Sequence, residues 1–265
     1  MRAIVLALVL SGCAASPAGR PRPLSAAHPV AAAALHAESE AARPRAERGV
    51  TRPPRELALR CEGEACGASV GLLVRGEGEA IQRCTASLVG PSLALTAAHC
   101  LPPEARRPGA SCEGSWVAFT APDEWVECAE VVAAGAIRDD EVLREDVALL
   151  RLTRPLDRPP LRPAGPDARP PVIVTVLAVR PHPIYPSQHA LSARRCRVAE
   201  PESAVESFGA EAAEVGWLVE CPSHPGNSGA PVLDARGRLR GLLHAGSAPA
   251  DGVAVTSALD ALLDR

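Results

Sequence analysis

Lysine is missing altogether: all 28 basic residues are arginine. That excludes Schiff-base lysine chemistry and a Ser-Lys dyad. Aromatics are nearly missing too, at 2%, so any core must be built from aliphatic side chains and alanine. Zinc-type spacing is absent, with no Cys-x-x-Cys and no paired Cys/His knuckles. No metal and no cofactor are therefore expected. Positive charge is scarce where a globular part would lie. Residues 61–265 hold nineteen Arg against twenty-seven acids. Nucleic-acid binding depends on neutralising phosphates and is not expected of such a surface. The chain as a whole is 47% hydrophobic and carries a net charge of −3, enough apolar material for a real core.

No run is long enough to cross a bilayer as a stable helix. The apolar stretch Ala3–Leu10 follows a single charge at Arg2 and ends in Ser11-Gly12-Cys13. A charged start, an apolar middle and small residues at a cut site form the pattern of an export signal. Leu10-Ser11-Gly12-Cys13 resembles the bacterial lipobox, in which the Cys is lipidated and becomes the first mature residue. The resemblance implies a signal peptide over 1–12 and membrane attachment through lipid on Cys13. Ala14 follows, not Asp, which by resemblance to Gram-negative lipoproteins points to the outer membrane, facing periplasm or surface. Residues 13–60 read as a Pro/Ala/Arg-rich tether, because repeated Pro breaks helices and favours extended backbone. It carries an excess of Arg, eight against four Glu over 14–60.

Setting Cys13 aside, eight of the nine cysteines remain. An even number suits a disulfide framework in an oxidising compartment. Taken in order they suggest four local bridges: Cys61–Cys66, Cys84–Cys100, Cys112–Cys128 and Cys196–Cys221.

From Ala68 onward the chain shows short apolar or alternating runs split by Gly, Pro and Asp. Val70–Val74, Thr85–Val89, Val147–Leu152, Val172–Val179 and Leu239–His244 are examples. Many short strands at even spacing argue for an all-β sandwich or barrel. Ser257–Leu263 has apolar residues at helical spacing after a possible N-cap at Thr256, and predicts a short C-terminal helix. The Pro-rich stretch Arg154–Pro171 divides the strands into two similar halves.

Three segments carry chemistry. They are Thr96-Ala97-Ala98-His99-Cys100, Asp146-Val147-Ala148-Leu149-Leu150, and Gly226-Asn227-Ser228-Gly229-Ala230-Pro231. Singly, each reads as a structural His, a strand-opening turn residue or a tight turn. In this order they resemble the trypsin/chymotrypsin-like serine peptidases, whose chain order is His, Asp, Ser. The resemblance covers roughly 61–265. It implies two antiparallel β-barrels of chymotrypsin-like type, about 61–155 and 170–265. It also implies a His99–Asp146–Ser228 triad and an oxyanion hole formed by the N–H groups of Gly226 and Ser228. The family also bridges the Cys after its His to one sixteen residues earlier, which matches Cys84–Cys100. A monomer acting on protein or peptide substrates is expected. The alternative, a catalytically inactive trypsin-like binding lipoprotein, sits poorly with a complete triad.

The departures from the family bear on substrate and activation. Asn227 replaces the Asp that pairs with a new N-terminus in zymogens, and no Ile-Val-Gly-Gly occurs. No cleavage switch is implied. Trypsin's Asp six residues before the nucleophile is Pro222 here, which argues against Arg or Lys specificity. Pro222, Ser223, His244 and Gly246 are the residues expected to line the specificity pocket. His244 with Ser223 suggests a site for an acidic side chain; a wall around a small apolar residue is the other reading.

Overall fold

The computed structural model describes residues 57–61, 69–76, 81–120, 123–135, 146–164, 172–181, 188–199, 216–246 and 254–258. The leader, Cys13, most of the tether and Cys66 lie outside them.

The fold is all-β, as the spacing of short runs predicts. β1 (Ala58–Cys61) is followed by β2 (Val70–Arg75), β3 (Gln82–Gly90), β4 (Leu93–Thr96), β5 (Ser115–Phe119), β6 (Glu124–Ala134) and β7 (Ala148–Leu152). The strands β2-β3-β4-β7-β6-β5 close into a barrel. Then come β8 (Ile173–Pro181), β9 (Gln188–Val198), β10 (Gly216–Val219), β11 (Ala230–Leu233), β12 (Leu239–Gly246) and β13 (Ala254–Ala258). They form a second antiparallel sheet, in which β8 pairs with both β11 and β9. The pairings of this sheet thus also run round a ring, with β1 added in parallel along β9.

β1 takes in Ala58–Arg60, so strand structure begins in the last residues of the stretch read as a tether. Leu57 is buried as well. This strand has no pattern of its own, since its partner β9 is distant in sequence. The C-terminal helix also needs correction. Ser257 and Ala258 belong to β13, paired with β10 on one side and β12 on the other; residues 259–265 lie outside the described set. For these two residues the β12 ladder, Ser257 opposite Leu242 and Ala258 opposite Gly241, outweighs a short helix, whose isolated turn is costly to nucleate.

Apolar residues form three clusters that explain the layout. One fills the first barrel, around Leu88, Val117, Phe119, Val131 and Leu150. Another fills the second, around Val174, Val176, Leu218 and Leu243. The third joins them: Val70, Leu72, Val74 and Leu95 from the first barrel meet Leu177, Val179, Leu191 and Leu242 from the second. Burial of aliphatic surface at roughly 25 cal/mol per Å² holds each cluster together. The same chemistry therefore holds the two barrels against each other. The Pro-rich connector is part of this packing. Leu156 is buried within it, and so is Arg158, which pairs with Glu124 at 3.1 Å and lies 5.0 Å over the Phe119 ring.

Three bridges form as ordered pairs suggest: Cys84–Cys100, Cys112–Cys128 and Cys196–Cys221. Cys61 is disulfide-bonded as well.

Candidate active site

β4 ends at Thr96, Ala97 stays extended, and one 3-10 turn, Ala98–Cys100, follows. Ala97 and Ala98 are fully buried, so only small side chains fit where this turn leaves the barrel wall. The turn is fixed at its end by the Cys84–Cys100 bridge to β3. Its His99 carbonyl accepts from Gln82 Nε2 at 3.1 Å and Arg106 Nη2 at 3.3 Å.

Asp146 opens the segment into β7 and is 0% exposed. A buried carboxylate needs full hydrogen bonding. One oxygen, Oδ1, accepts from the His99 backbone N–H at 2.8 Å. The other, Oδ2, meets His99 Nδ1 at 2.5 Å. Burial by itself pushes the Asp146 carboxyl up, but a charged His99, the two hydrogen bonds from that residue and His244 outweigh it. Its affinity for a proton ends below the ordinary carboxylate range. An ionised Asp146 fixes the proton on Nδ1 and leaves Nε2 as the atom able to act as base.

Two consecutive glycine turns place Ser228, which lies in the second. In the first, Asn227 N–H donates to the His224 carbonyl at 3.0 Å, with Pro225 and Gly226 (φ 94°) between. In the second, Ala230 N–H donates to the Asn227 carbonyl at 2.9 Å, with Gly229 at φ 83°. Glycine in the third place with positive φ is the mark of a type II turn, and Pro suits the second place. Gly229 is required for space as well. A Cβ there would come 2.1 Å from the Thr85 carbonyl and 2.5 Å from Thr96 Oγ1.

The Ser228 loop is thus seated directly on the first barrel. Thr85 of β3 holds it at several points. Its N–H donates to the Ser228 carbonyl at 2.7 Å, and its hydroxyl donates to the Gly226 carbonyl at 2.8 Å. The same hydroxyl accepts from the Val179 N–H at 3.1 Å. Asn227 Nδ2 donates to the Val179 carbonyl at 2.7 Å, while its Oδ1 accepts from the His224 N–H at 2.9 Å. Gly229 N–H ties the loop to Leu243 of β12 at 2.7 Å. Sequence reasoning missed Thr85, whose only signal was a hydroxyl residue opening the short run Thr85–Val89.

The expected pocket residues scatter. Pro222 and Ser223 lie half-buried at the start of the loop, with the Pro222 carbonyl accepting from Arg194 of β9. Gly246 ends β12, opposite Ala254 of β13. His244 goes elsewhere. Its side chain is 0% exposed, and its Nδ1 faces Asp146 Oδ2 at 3.5 Å. That placement corrects its expected role against an acidic substrate side chain, since a ring this enclosed sits behind the carboxylate of the site. On the loop itself, burial together with Arg194 and Arg180 pushes the His224 imidazole below its ordinary value.

Among the described residues one group combines metal-binding types, Cys84, His99 and Cys100, with ligand atoms within 4.8 Å of one another. Its two sulfurs are bonded to each other, so they are not thiolates able to ligate.

Comparison with known proteins settles the family. The profile of the trypsin-like peptidase domain matches residues 84–242. The chain belongs to this family. A search of curated protein sequences returns no match. Among solved structures, this trypsin-like domain is similar to a scabies mite inactivated protease paralogue, with 16% identity and a TM-score of 0.60. That match covers 74% of this chain and 91% of the other. The structure of GrC is similar at 17% identity and TM-score 0.60, covering 77% and 94%. The VesB protease of Vibrio cholerae is similar at 17% identity and TM-score 0.56, covering 77% and 64%. These likenesses speak for the fold, and one of them is to an inactivated protease. The chemistry of this trypsin-like domain must therefore be argued from its own residues.

Proposed function

We propose that this trypsin-like domain is a serine endopeptidase, exported and held at the bacterial cell envelope by lipid on Cys13. The observation that carries the catalytic reading is the buried His99–Asp146 pair, both oxygens of the carboxylate engaged by the one histidine. Ser228 sits in a glycine turn bonded to Thr85, where Gly229 packs closely against Thr96 and Ala97 just before His99. A serine hydroxyl is a poor nucleophile at neutral pH and needs such a base. His99 Nε2 takes the Ser228 proton as Oγ attacks the scissile carbonyl. The imidazolium is stabilised by Asp146, and its proton then passes to the leaving amine. Water, deprotonated by the same base, releases the acyl group from Ser228.

The N–H groups of Gly226 and Ser228 receive the oxyanion. Thr85 fixes the carbonyls of the same two residues, which keeps the loop preorganised. Removal of one such donor lowers rates by roughly 100–1000-fold. Asn227, bonded at both ends of its amide within the second barrel, fits an enzyme active without a cleavage switch. Pro222 offers no carboxylate for Arg or Lys. The lipobox, the tether and the oxidised cysteines fit an outer-membrane lipoprotein of the periplasm or surface.

The test is covalent labelling by a fluorophosphonate. Labelling confined to Ser228, with proteolysis lost in Ser228→Ala, supports the enzyme. Folded, oxidised wild-type protein that neither labels nor cleaves casein favours the non-catalytic binding lipoprotein. Anchoring is tested separately by palmitate incorporation and its loss in Cys13→Ala.

A further inference from the structure

The inward face of the second barrel changes character at one end. Val174, Val176 and Ala178 alternate along β8 into the core of that barrel, where Cys196 and Val198 of β9 join them. Side chains on one face of a strand recur at every second residue, and residues opposite each other in a ladder share a face. Arg180 takes the next inward place on β8. On β9, Arg194 stands opposite Val176 and Ser192 opposite Ala178. Two arginines and a hydroxyl thus stand where the apolar row would continue. Both arginines are half-buried.

This end of the face lines a small pocket, together with Leu243 of β12 and with Pro222 and Asn227 of the Ser228 loop. The space suits about one small polar group. Its apolar side is aliphatic and its polar side is cationic. The charges crowd one another: burial lowers the Arg194 guanidinium, and Arg180 lowers it further. Both arginines, after burial, lower His224 on the loop. An anion placed among like charges removes their repulsion, and does so most where water is partly excluded. Arg194 Nη1 also donates to the Pro222 carbonyl, which ties the pocket wall to the loop. The planar guanidinium fork has further donors, in the geometry that a carboxylate accepts.

We infer that this pocket is a carboxylate-binding site, in which Arg180, Arg194 and Ser192 hold one carboxylate group beside the loop that carries Ser228. The bound group bridges β8, β9 and the loop, and so steadies Asn227 between Gly226 and Ser228. A free small acid and an acidic side chain of the substrate present the same chemistry to it. Binding does not depend on the peptidase reading above; its effect on turnover rests on that reading.

The test compares sodium acetate with sodium chloride at pH 7 and equal ionic strength, on the full chain and on the double variant Arg180→Gln/Arg194→Gln. Acetate is expected to raise the melting temperature of the wild type by about 5 °C near saturation. The Ser192 amide resonance should shift saturably, and fluorophosphonate labelling of Ser228 should quicken about fivefold. The double variant loses all three responses. An equal rise in both proteins is the general stabilising action of an excluded salt and overturns the inference, as does a Ser192 resonance that does not move. Should the double variant not fold, Arg180→Gln, which leaves the bond to Pro222 in place, is read by the same criteria. Paired peptides with Glu or Gln at each position then tell the two sources apart. For a free acid, acetate speeds cleavage of both alike. For a substrate side chain, the Glu peptide is preferred by the wild type alone, and acetate competes with it. Either result upholds the site. If the wild type neither labels nor hydrolyses, the peptidase reading fails, while the melting temperature and the Ser192 resonance still decide whether the carboxylate binds.

Discussion

The two barrels divide the work unequally. The first is a closed ring of strands with a continuous core and two disulfides. It supplies His99 and Asp146, joined to each other by two hydrogen bonds. The second supplies Ser228 on a loop whose backbone is fastened largely by Thr85 of the first. The proposed base and its orienter are thus set within one barrel, while the placement of Ser228 depends on how the two dock. The difference teaches where the site is vulnerable: in side-chain chemistry on the first barrel, in backbone placement on the second.

The largest effects test chemistry alone. Ser228→Ala is expected to lower kcat by about 10⁶-fold. Asp146→Asn is expected to lower it by about 10⁴-fold with little change in KM, because an amide favours the wrong His99 tautomer. Steady-state kinetics on one peptide compare them. Equal losses would contradict the assignment of distinct roles to the two residues.

Next comes docking. Gly229→Ala places a Cβ against the Thr85 carbonyl at a positive φ. The loop must move off the first barrel, and a displacement of about 1 Å costs about 100-fold in rate. Fluorophosphonate labelling should slow by that factor while the His99 Nδ1 resonance stays in place. If labelling is unaffected, the seat of Ser228 on β3 is not what aligns it.

The two bridges of the first barrel give a controlled pair, since Cys84–Cys100 and Cys112–Cys128 each span 16 residues. On chain-entropy grounds, removing either should cost about 3 kcal/mol of stability. Only the Cys84/Cys100 double alanine variant should also lose activity, because only that bridge ends the turn carrying His99. Denaturant unfolding alongside kcat makes the comparison. Equal activity in the two variants would show that the turn holds without its bridge.

The smallest effects appear on acidification, and the barrels should respond in different windows. His224, on the second, binds protons more weakly folded than unfolded. The unfolded chain therefore takes up a proton first, and stability falls as pH drops from about 6.5 toward the lowered folded value. Asp146, on the first, is also lowered from its ordinary 3.8. Its contribution is full above that value and is lost as pH falls through the folded one. His224→Gln should flatten only the upper window and Asp146→Asn only the lower, read by unfolding midpoints against pH. A single merged transition in both variants would erase the distinction.

The sequence by itself determined the strand content and pointed to the His99–Asp146 pair. Short apolar runs between turn residues have few stable solutions besides barrels or sandwiches. The three motifs are local, because a base needs a fixed turn, a carboxylate a strand mouth, and a nucleophile its flanking glycines. Three disulfide pairings were legible too, since neighbouring cysteines close short loops. Only the tertiary structure decided the rest. β1 is a strand because β9 lies beside it, and Ser257 is in a strand because Leu242 of β12 pairs with it. Thr85 and His244 meet partners 143 and 98 positions away, at Ser228 and Asp146. A side chain's neighbours across a barrel interface are set by packing of the whole, and no local pattern encodes a bulge that turns one histidine from a pocket wall to a carboxylate.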